Sequence, residues 1–553
     1  MLRVAIIIFL LTVLAASPVE KDGKGKIASE SLRELFDENY IDEANLGNRN
    51  FEENEIDLKA DVENDNEDGS ESKQDSSVEN ENSSEEEPDE TKPTERDFLE
   101  GGEKAQRVFE SSLASSMLQL HDMIGTANPG LKTSKRSMED MDMIDGDVKL
   151  DKESAAELVE FYKRNPQYLR LNNNGSESSV PDPFDKRKVY NGPKWTFPIN
   201  YRLQIASSTH KTLIKQALSI WQQQTCVSFV ERSSITAPAI NFKENESGCW
   251  SYVGKRSIIN DINLQNGCKH LGIILHEIGH ALGMWHEQSR QDRNTFVSII
   301  TDNIVSGKEH NFLIKSGVTY GTNYDYGSVM HYSDTAFAKS AGLKTIVAKQ
   351  SDYSRTMGQR IGLSFNDIRA INYHYCQSRC SGGLTWSSCR NGGYRNPRSC
   401  GRCKCPDGWI GKYCQYAKNP KNIIRYFINL NLETAGCGYK YRSATSCYRF
   451  LNSPGYFFPR SYTNNAECTW KITAPTGKRV RFQFIGSFGI TCNTRCLDFV
   501  EVRYSSLSNT GPRFCCGTRP TRVFTSTGRV MLVLFRTNSN VVARGFRARF
   551  KYV

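Results

Sequence analysis

Eleven residues, His276-Glu277-Ile278-Gly279-His280-Ala281-Leu282-Gly283-Met284-Trp285-His286, carry three of the nine histidines in the chain. The spacing reads H-E-x-x-H-x-x-G-x-x-H. On a helix, His276 and His280 are four residues apart and share a face, where two imidazoles can hold a zinc ion. Glu277 stands beside the first histidine and can serve as general base towards a water at the metal. Gly283 lets the chain leave helical geometry at low steric cost, which can bring His286 round as third ligand. Three protein ligands leave one coordination position open, the mark of a catalytic rather than a structural zinc site.

The elements that must hold these groups can be read on either side. The metal helix starts near Leu271. Leu213 to Cys226 forms a second helix with Ile214, Leu218 and Trp221 inward. Short β-rich pieces lie between them, at 227–230, 239–242 and 258–264. A helix from Ser364 to Tyr375, with Ser364 as N-cap, closes the domain. The globular α+β unit thus runs from about Lys194-Trp195 to Cys376.

Around this unit the composition changes sharply. The 553 residues allow two to four domains. Val4 to Ala16, after Arg3 and before Ser17, is a short apolar run that reads as a signal peptide over 1–17. No later stretch has the apolar length of a membrane span, so a secreted, extracellular protein is expected. All 17 cysteines lie from Cys226 onward, which in an exported chain implies disulfides; the odd count leaves one thiol without an intrachain partner. Residues 1–187 hold 22 Lys and Arg against 44 Asp and Glu, whereas residues 377–553 hold 29 against 5. An acidic front and a basic back point to cleavage between them, to polyanion binding, or to both. Nucleic acid is not an expected partner of an exported chain.

Residues 18–187 read as an acidic, largely disordered pro-segment. Within it, 108–123 and 155–162 have helical apolar faces. Asp182-Pro183-Phe184-Asp185-Lys186-Arg187-Lys188 is a Pro-flanked basic cluster suited to proteolytic nicking, with Lys135-Arg136 a weaker site. Asn82, Asn174 and Asn245 head glycosylation triplets. Downstream, Cys380 to Cys414 packs six cysteines into a segment that cannot build its own core. Residues 417–434 form a linker, and alternating strands from Cys437 to Val553 read as a β-sandwich.

With Glu287 after the third histidine, Arg290-x-Asp292-Arg293 beyond it, and the turn Ser328-Val329-Met330-His331-Tyr332, residues 188–377 resemble the astacin family of metzincin proteases. Trp195-x-x-Pro198-Ile199-x-Tyr201, Gly248-Cys249-Trp250-Ser251-Tyr252-Val253-Gly254 and Gly358-Gln359-Arg360-x-Gly362-Leu363-Ser364 extend the match over most of the domain. The resemblance implies a two-lobed metzincin domain and a zinc metalloendopeptidase acting on extracellular proteins. His276, His280 and His286 would be the zinc ligands and Glu277 the general base. Met330 would form the apolar floor beneath the metal, and Tyr332 an extra ligand that swings away to stabilise the oxyanion. It also implies Cys226–Cys376 and Cys249–Cys268, and a contact of Glu287 with the new N-terminus after activation. Asp145-Gly146-Asp147 resembles the pro-segment motif that blocks the zinc through Asp147, although Ile144 stands where family members often have Phe.

Residues 378–416 resemble an EGF-like module, implying Cys380–Cys400, Cys389–Cys403 and Cys405–Cys414. Residues 435–553 resemble a CUB domain, implying Cys437–Cys468 and Cys496–Cys516, with Cys492–Cys515 as an added bridge and Cys447 left over. Asp498 matches a CUB calcium ligand, but Asn538 replaces a later acidic one, which should weaken such a site and leaves calcium binding open. The functional expectation is a secreted zymogen whose basic C-terminal modules meet anionic matrix glycans. The alternative is a matrix-binding adhesive protein with vestigial proteolysis, against which the intact Glu277 and Tyr332 count.

Overall fold

The structure, a computed structural model, describes residues 113–120, 122–128, 143–171, 188–380, 384, 388–418, 437, 441–457, 461–492, 496–540 and 542–553. The signal-peptide run, Asn82, Asn174, Asp182 to Arg187 and nearly all of the linker lie outside the described residues.

A seven-stranded sheet forms one lobe. Its strands are β1 (Met143–Ile144), β2 (Val148–Lys149), β3 (Ile199–Gln204), β4 (Phe229–Glu231), β5 (Ile240–Lys243), β6 (Cys249–Tyr252) and β7 (Asn260–Leu264), in the order β1-β2-β6-β7-β5-β3-β4. β3, β4, β5 and β7 are parallel, while β6 runs antiparallel to β7. Cys249 on β6 is bonded to Cys268 just past β7. The outermost pair, β1 and β2, comes from the acidic segment: Val148 pairs with Ser251 and Lys149 with Tyr252 on the edge of β6. Helix α1 (Lys152–Arg164), capped by the Asp151 side chain, follows and buries Ala155, Leu158, Val159 and Tyr162. Residues 143–171 therefore fold onto the following domain, and α1 contains the apolar face expected at 155–162. Their local charge is overridden by an apolar helix face and by the free hydrogen bonds of a sheet edge.

Helix α2 (Ser208–Gln224) buries Ile214, Ala217, Leu218 and Trp221, positions three and four apart on one face. The face packs on α3 (Leu271–Ala281), where the Trp221 indole donates to the Leu275 carbonyl at 3.2 Å. α3 is buried from Ile274 to Ala281, as befits a helix apolar almost all round. Beyond it, β8 (Val297–Ile299) and β9 (Ile346–Ala348) make a separate antiparallel pair. Helix α4 (Phe365–Tyr375) starts with a capping box in which Ser364 and Asp367 each accept from the other's backbone N–H. Cys226 at the end of α2 is bonded to Cys376 at the end of α4, 150 residues on. Replacing both with Ser should cost the domain about 4 kcal/mol, because so long a loop is released in the unfolded chain; denaturant titration of the full chain checks this.

Three bridges, Cys380–Cys400, Cys389–Cys403 and Cys405–Cys414, hold the next segment. Its strands, β10 (Tyr394–Arg395), β11 (Cys403–Lys404), β12 (Trp409–Ile410) and β13 (Tyr416–Ala417), pair only as short two-stranded ladders. Behind it lies a sandwich. Its strands are β14 Tyr441–Ser443, β15 Arg449–Asn452, β16 Glu467–Thr473, β17 Val480–Gly489, β18 Phe499–Arg503, β19 Arg513–Phe514, β20 Val523–Thr525, β21 Val530–Arg536 and β22 Gly545–Tyr552. One sheet has the order β14-β16-β21-β18-β19 and the other β15-β22-β17-β20. Trp470, Phe482, Phe484, Phe535 and Phe546 fill the space between the sheets. The outer side of the five-stranded sheet is anchored. Leu532 and Leu534 pack on Trp409, Cys403 and Cys414. Asp407 pairs with Arg536, and the Arg513 N–H donates to Thr356 of the metal-helix domain at 3.0 Å.

Cys437 is bonded to Cys468. The expected Cys496–Cys516 bridge, with Cys492–Cys515 beside it, is corrected: Cys496 is bonded to Cys515 and Cys492 to Cys516. Adjacent residues leaving β19 point to opposite sides. Cys515 turns inward, 1 % exposed, to meet buried Cys496, and Cys516, with φ of +65°, turns outward to Cys492. Cys447 is free and exposed. Asp498 accepts hydrogen bonds from Tyr462, Thr491 and the Asn538 N–H, so its oxygens serve the fold.

Candidate metal centre

Helix α3 ends where Gly283, with φ of +99°, reverses the chain. This backbone conformation favours glycine, and it carries His286 back against His276 and His280. The His276 Nε2 lies 3.1 Å from His280 Nε2 and 3.2 Å from His286 Nε2. The Nδ1 atoms of His276 and His280 each lie 2.8 Å from a carbonyl, of Val329 and of Met284. A carbonyl can only accept, so both Nδ1 atoms carry the proton and both Nε2 atoms present lone pairs. Lone pairs facing each other at 3.1 Å call for a cation between them.

The fourth side is closed by Asp147, at the tip of the β1–β2 hairpin. Its carboxylate lies 3.1 Å from His276 Nε2, 3.1 Å from His286 Nε2 and 3.6 Å from His280 Nε2. The four ligand atoms lie within 4.8 Å of one another. Three imidazoles and a carboxylate make a donor set suited to zinc, and buried Asp147 Oδ1 makes no hydrogen bond among the described residues. The electrostatics fit a cation too. Burial, then the Arg360 charge, holds His276 down to about 3, and burial lowers His280. At His286 burial acts the same way, but Asp147 and Asp145 outweigh it and lift the ring to about 9. Burial disfavours the Asp147 charge, yet the His286 charge and the surrounding imidazoles hold its pKa well below the usual carboxylate range. Burial, then the Asp147 charge, pushes the Glu277 carboxyl well up.

Met330 lies fully buried beneath α3: a Cβ on Gly279 would fall 2.9 Å from its sulfur. Its carbonyl accepts the Glu287 N–H at 3.0 Å. The Tyr332 ring centroid lies 4.5 Å from that of His286, with the planes tilted by 54°, and the Tyr332 hydroxyl donates to the Asp145 carbonyl. The tyrosine is thus turned to the acidic segment. Close packing also constrains the start of α3, where a Cβ on Gly272 would lie 1.7 Å from the Arg360 carbonyl oxygen. Gly272→Ala should therefore cost about 3 kcal/mol and lower metal content; a melt within about 1 °C of the parent would contradict this.

Three residues escaped the sequence reading. Asp145, fully buried, reaches Lys315 Nζ at 3.2 Å and His286 Nδ1 at 3.6 Å, so both aspartates of the D-G-D turn are engaged. Lys188, also fully buried, places its ammonium 2.9 Å from Glu287 and 2.8 Å from Asp367. Asp367 was legible only as part of the S-x-x-D capping pattern, whereas it also accepts from Ser328 Oγ at 2.6 Å and the Val329 N–H at 2.9 Å. In the uncut chain a side-chain cation thus fills the place beside Glu287 that the resemblance gives to a new N-terminus.

Residues 187–376 match the model of the astacin peptidase family, and residues 437–550 that of the CUB domain. The chain is 40% identical over 351 residues to the zinc metalloproteinase dpy-31 of Caenorhabditis elegans, covering 62% of this chain and 56% of that one. It is 35% identical over 365 residues to the zinc metalloproteinase nas-36 of Brugia malayi, covering 65% and 59%. It thus spans little more than half the length of these curated relatives. Among solved structures it resembles high choriolytic enzyme 1, a hatching enzyme zinc-protease from Oryzias latipes, at 32% identity and a TM-score of 0.31, covering 33% of this chain and 92% of that one. Residues 187–376, which hold the three-histidine centre, are thus an astacin-family domain, and residues 437–550 a CUB domain.

Proposed function

We propose that the chain is a secreted zinc endopeptidase made as a zymogen, acting on extracellular proteins. The observation that carries this reading is the Asp147 carboxylate, delivered by an upstream segment onto three converging imidazole nitrogens. A carboxylate supplied in cis at the open position keeps water and substrate from the metal until the segment is removed. His276, His280 and His286 hold the zinc, and Met330 packs beneath them. Zinc, when bound, supplies a Lewis acid that polarises the scissile carbonyl and lowers the pKa of water.

The chain's own groups do the rest. Departure of the β1–β2 hairpin frees the edge of β6, which can then take a substrate strand by main-chain hydrogen bonds. Glu277 accepts a proton from the attacking water and passes it to the leaving amine. Tyr332, released from the Asp145 carbonyl, becomes a donor for the developing oxyanion, a contact of the kind worth roughly 3–4 kcal/mol. Cleavage within the basic cluster just before Lys188 leaves the Glu287–Asp367 cage filled by the Lys188 ammonium. Protein substrates are the partners of this domain, and anionic matrix glycans those of the basic C-terminal modules.

Activation separates this reading from its rivals. The full-length chain should be silent on a fluorogenic peptide library. After a trypsin-like cut before Lys188 it should hydrolyse peptides, and a zinc chelator should abolish this. A cut, zinc-loaded chain inert on the whole library would overturn the proposal.

A further inference from the structure

The sandwich is held to the rest of the chain by its five-stranded sheet, which leaves the outer side of β15-β22-β17-β20 without a covering element among the described residues. Ladder register decides what that side shows, because directly paired residues project to the same face. On β22, Phe546, Ala548 and Phe550 are buried, so Arg547, Arg549 and Lys551 face out. Arg549 pairs with Phe450 on β15 and Gln483 on β17, and Lys551 pairs with Arg481. The result is a patch of four cations, with strands about 4.8 Å apart and outward side chains about 6.8 Å apart along each strand.

Among the described residues three of these cations lie over aromatic rings, and none of the four has an anionic partner. The Arg547 guanidinium lies 4.6 Å from the Phe450 ring centroid, and Arg549 lies 4.3 Å from that of Tyr448. Lys551 lies 5.1 Å from the same Tyr448 ring. Every described carboxylate of residues 377–553 is engaged elsewhere. Asp407 pairs with Arg536, Glu467 with Lys418, and Glu501 with Arg503 and Arg513, while Asp498 is taken by Tyr462, Thr491 and Asn538. None of them supplies the counter-charge of this face, which leaves that place to another molecule.

We propose that the outer face of this CUB sheet, through Arg481, Arg547, Arg549 and Lys551, is a docking surface for sulfated polysaccharide. Guanidinium groups match sulfate oxygens in a bidentate fork, and a flat lattice of cations suits a linear polyanion. Tyr448 and Phe450 are 36 % and 48 % exposed, but they are capped by cations, which sets them beside sugar rings rather than inside a bilayer. The proposal rests on the extracellular reading above and gives the glycan partner a location.

The test uses the full chain and heparin as probe, across about 0.1 to 0.5 M salt. The variant R481S/R547S/R549S/K551S should bind heparin at least about 10-fold more weakly. A control removing four cations elsewhere, R232S/K308S/K339S/K349S, should change binding less than about 2-fold. Desulfated heparin should not bind. If the fourfold variant melts early, R547S and R549S alone should each weaken binding about 3-fold. Equal loss in face and control variants, or capture by phosphatidylserine vesicles in place of heparin, would overturn the assignment. Peptide hydrolysis after activation is measured in parallel and should be unchanged, so failure of the peptidase reading is read separately.

Discussion

Glu277→Gln in the activated enzyme should lower kcat/KM by about 10²–10⁴-fold while zinc content stays at the parent level. The residue is 1 % exposed, and its Oε2 makes no hydrogen bond among the described residues. A buried carboxylate without such a partner is kept at a cost to stability, so the isosteric amide should leave the melt unchanged or raise it. Loss of activity with unchanged or increased stability separates a proton-transfer role from a structural one. The side chain sits one residue from His276 on α3, next to the converging imidazoles, but it is not itself among the groups placed to hold a metal. Two results would refute this: a variant keeping more than about a tenth of its activity, or one losing zinc along with activity.

Legibility followed the range over which each interaction acts. The metal site was readable because His276 and His280 are fixed by helical periodicity and His286 by a glycine that the φ of +99° requires. Ser364 as N-cap of α4 was readable for the same local reason. The β-sandwich from Cys437 onward was legible because alternation is also local. What spacing could not reveal was pairing between distant carboxylates and cations. Lys188 and Asp367 are 179 residues apart, and Asp145 and Lys315 are likewise distant in sequence. The crossed bridges of Cys492, Cys496, Cys515 and Cys516 failed for another reason. Two adjacent cysteines differ only in the side to which each points, and that depends on where β19 ends. In the acidic segment the apolar face at 155–162 was legible from its spacing, whereas the pairing of β2 with the edge of β6 was not.

Lys188→Met should destabilise the uncut chain by about 3 kcal/mol and lower the melt of the metal-helix domain by roughly 6–12 °C. Methionine keeps the apolar stem and removes only the ammonium. Glu287 then retains Arg290 and the Asp325 N–H, and Asp367 retains Ser328, Val329 and its cap. Hydrogen bonds persist, but the cation that screened the two carboxylates from each other is gone. Burial works against the Lys188 charge, yet Asp367 and Glu287 together with nearby Asp325 raise its pKa, so the cage holds it protonated throughout the usable pH range. The effect should therefore be independent of pH from about 6 to 9. It should also be partly reversed by a second substitution, Glu287→Gln, which removes one of the stranded charges. A variant within about 1 kcal/mol of the parent would mean that the cage does not need its cation. Substantial rescue by Glu287→Gln would instead identify charge balance as the role of Lys188. That role matters for activation because Glu287 adjoins His286 and its N–H is tied to the Met330 carbonyl. A cage already neutralised from within holds that corner of the metal centre in place before the pro-segment is cut. On the zymogen reading proposed above, removing Asp147 would be the step that activates the enzyme, and a new N-terminus would not be required to order the site.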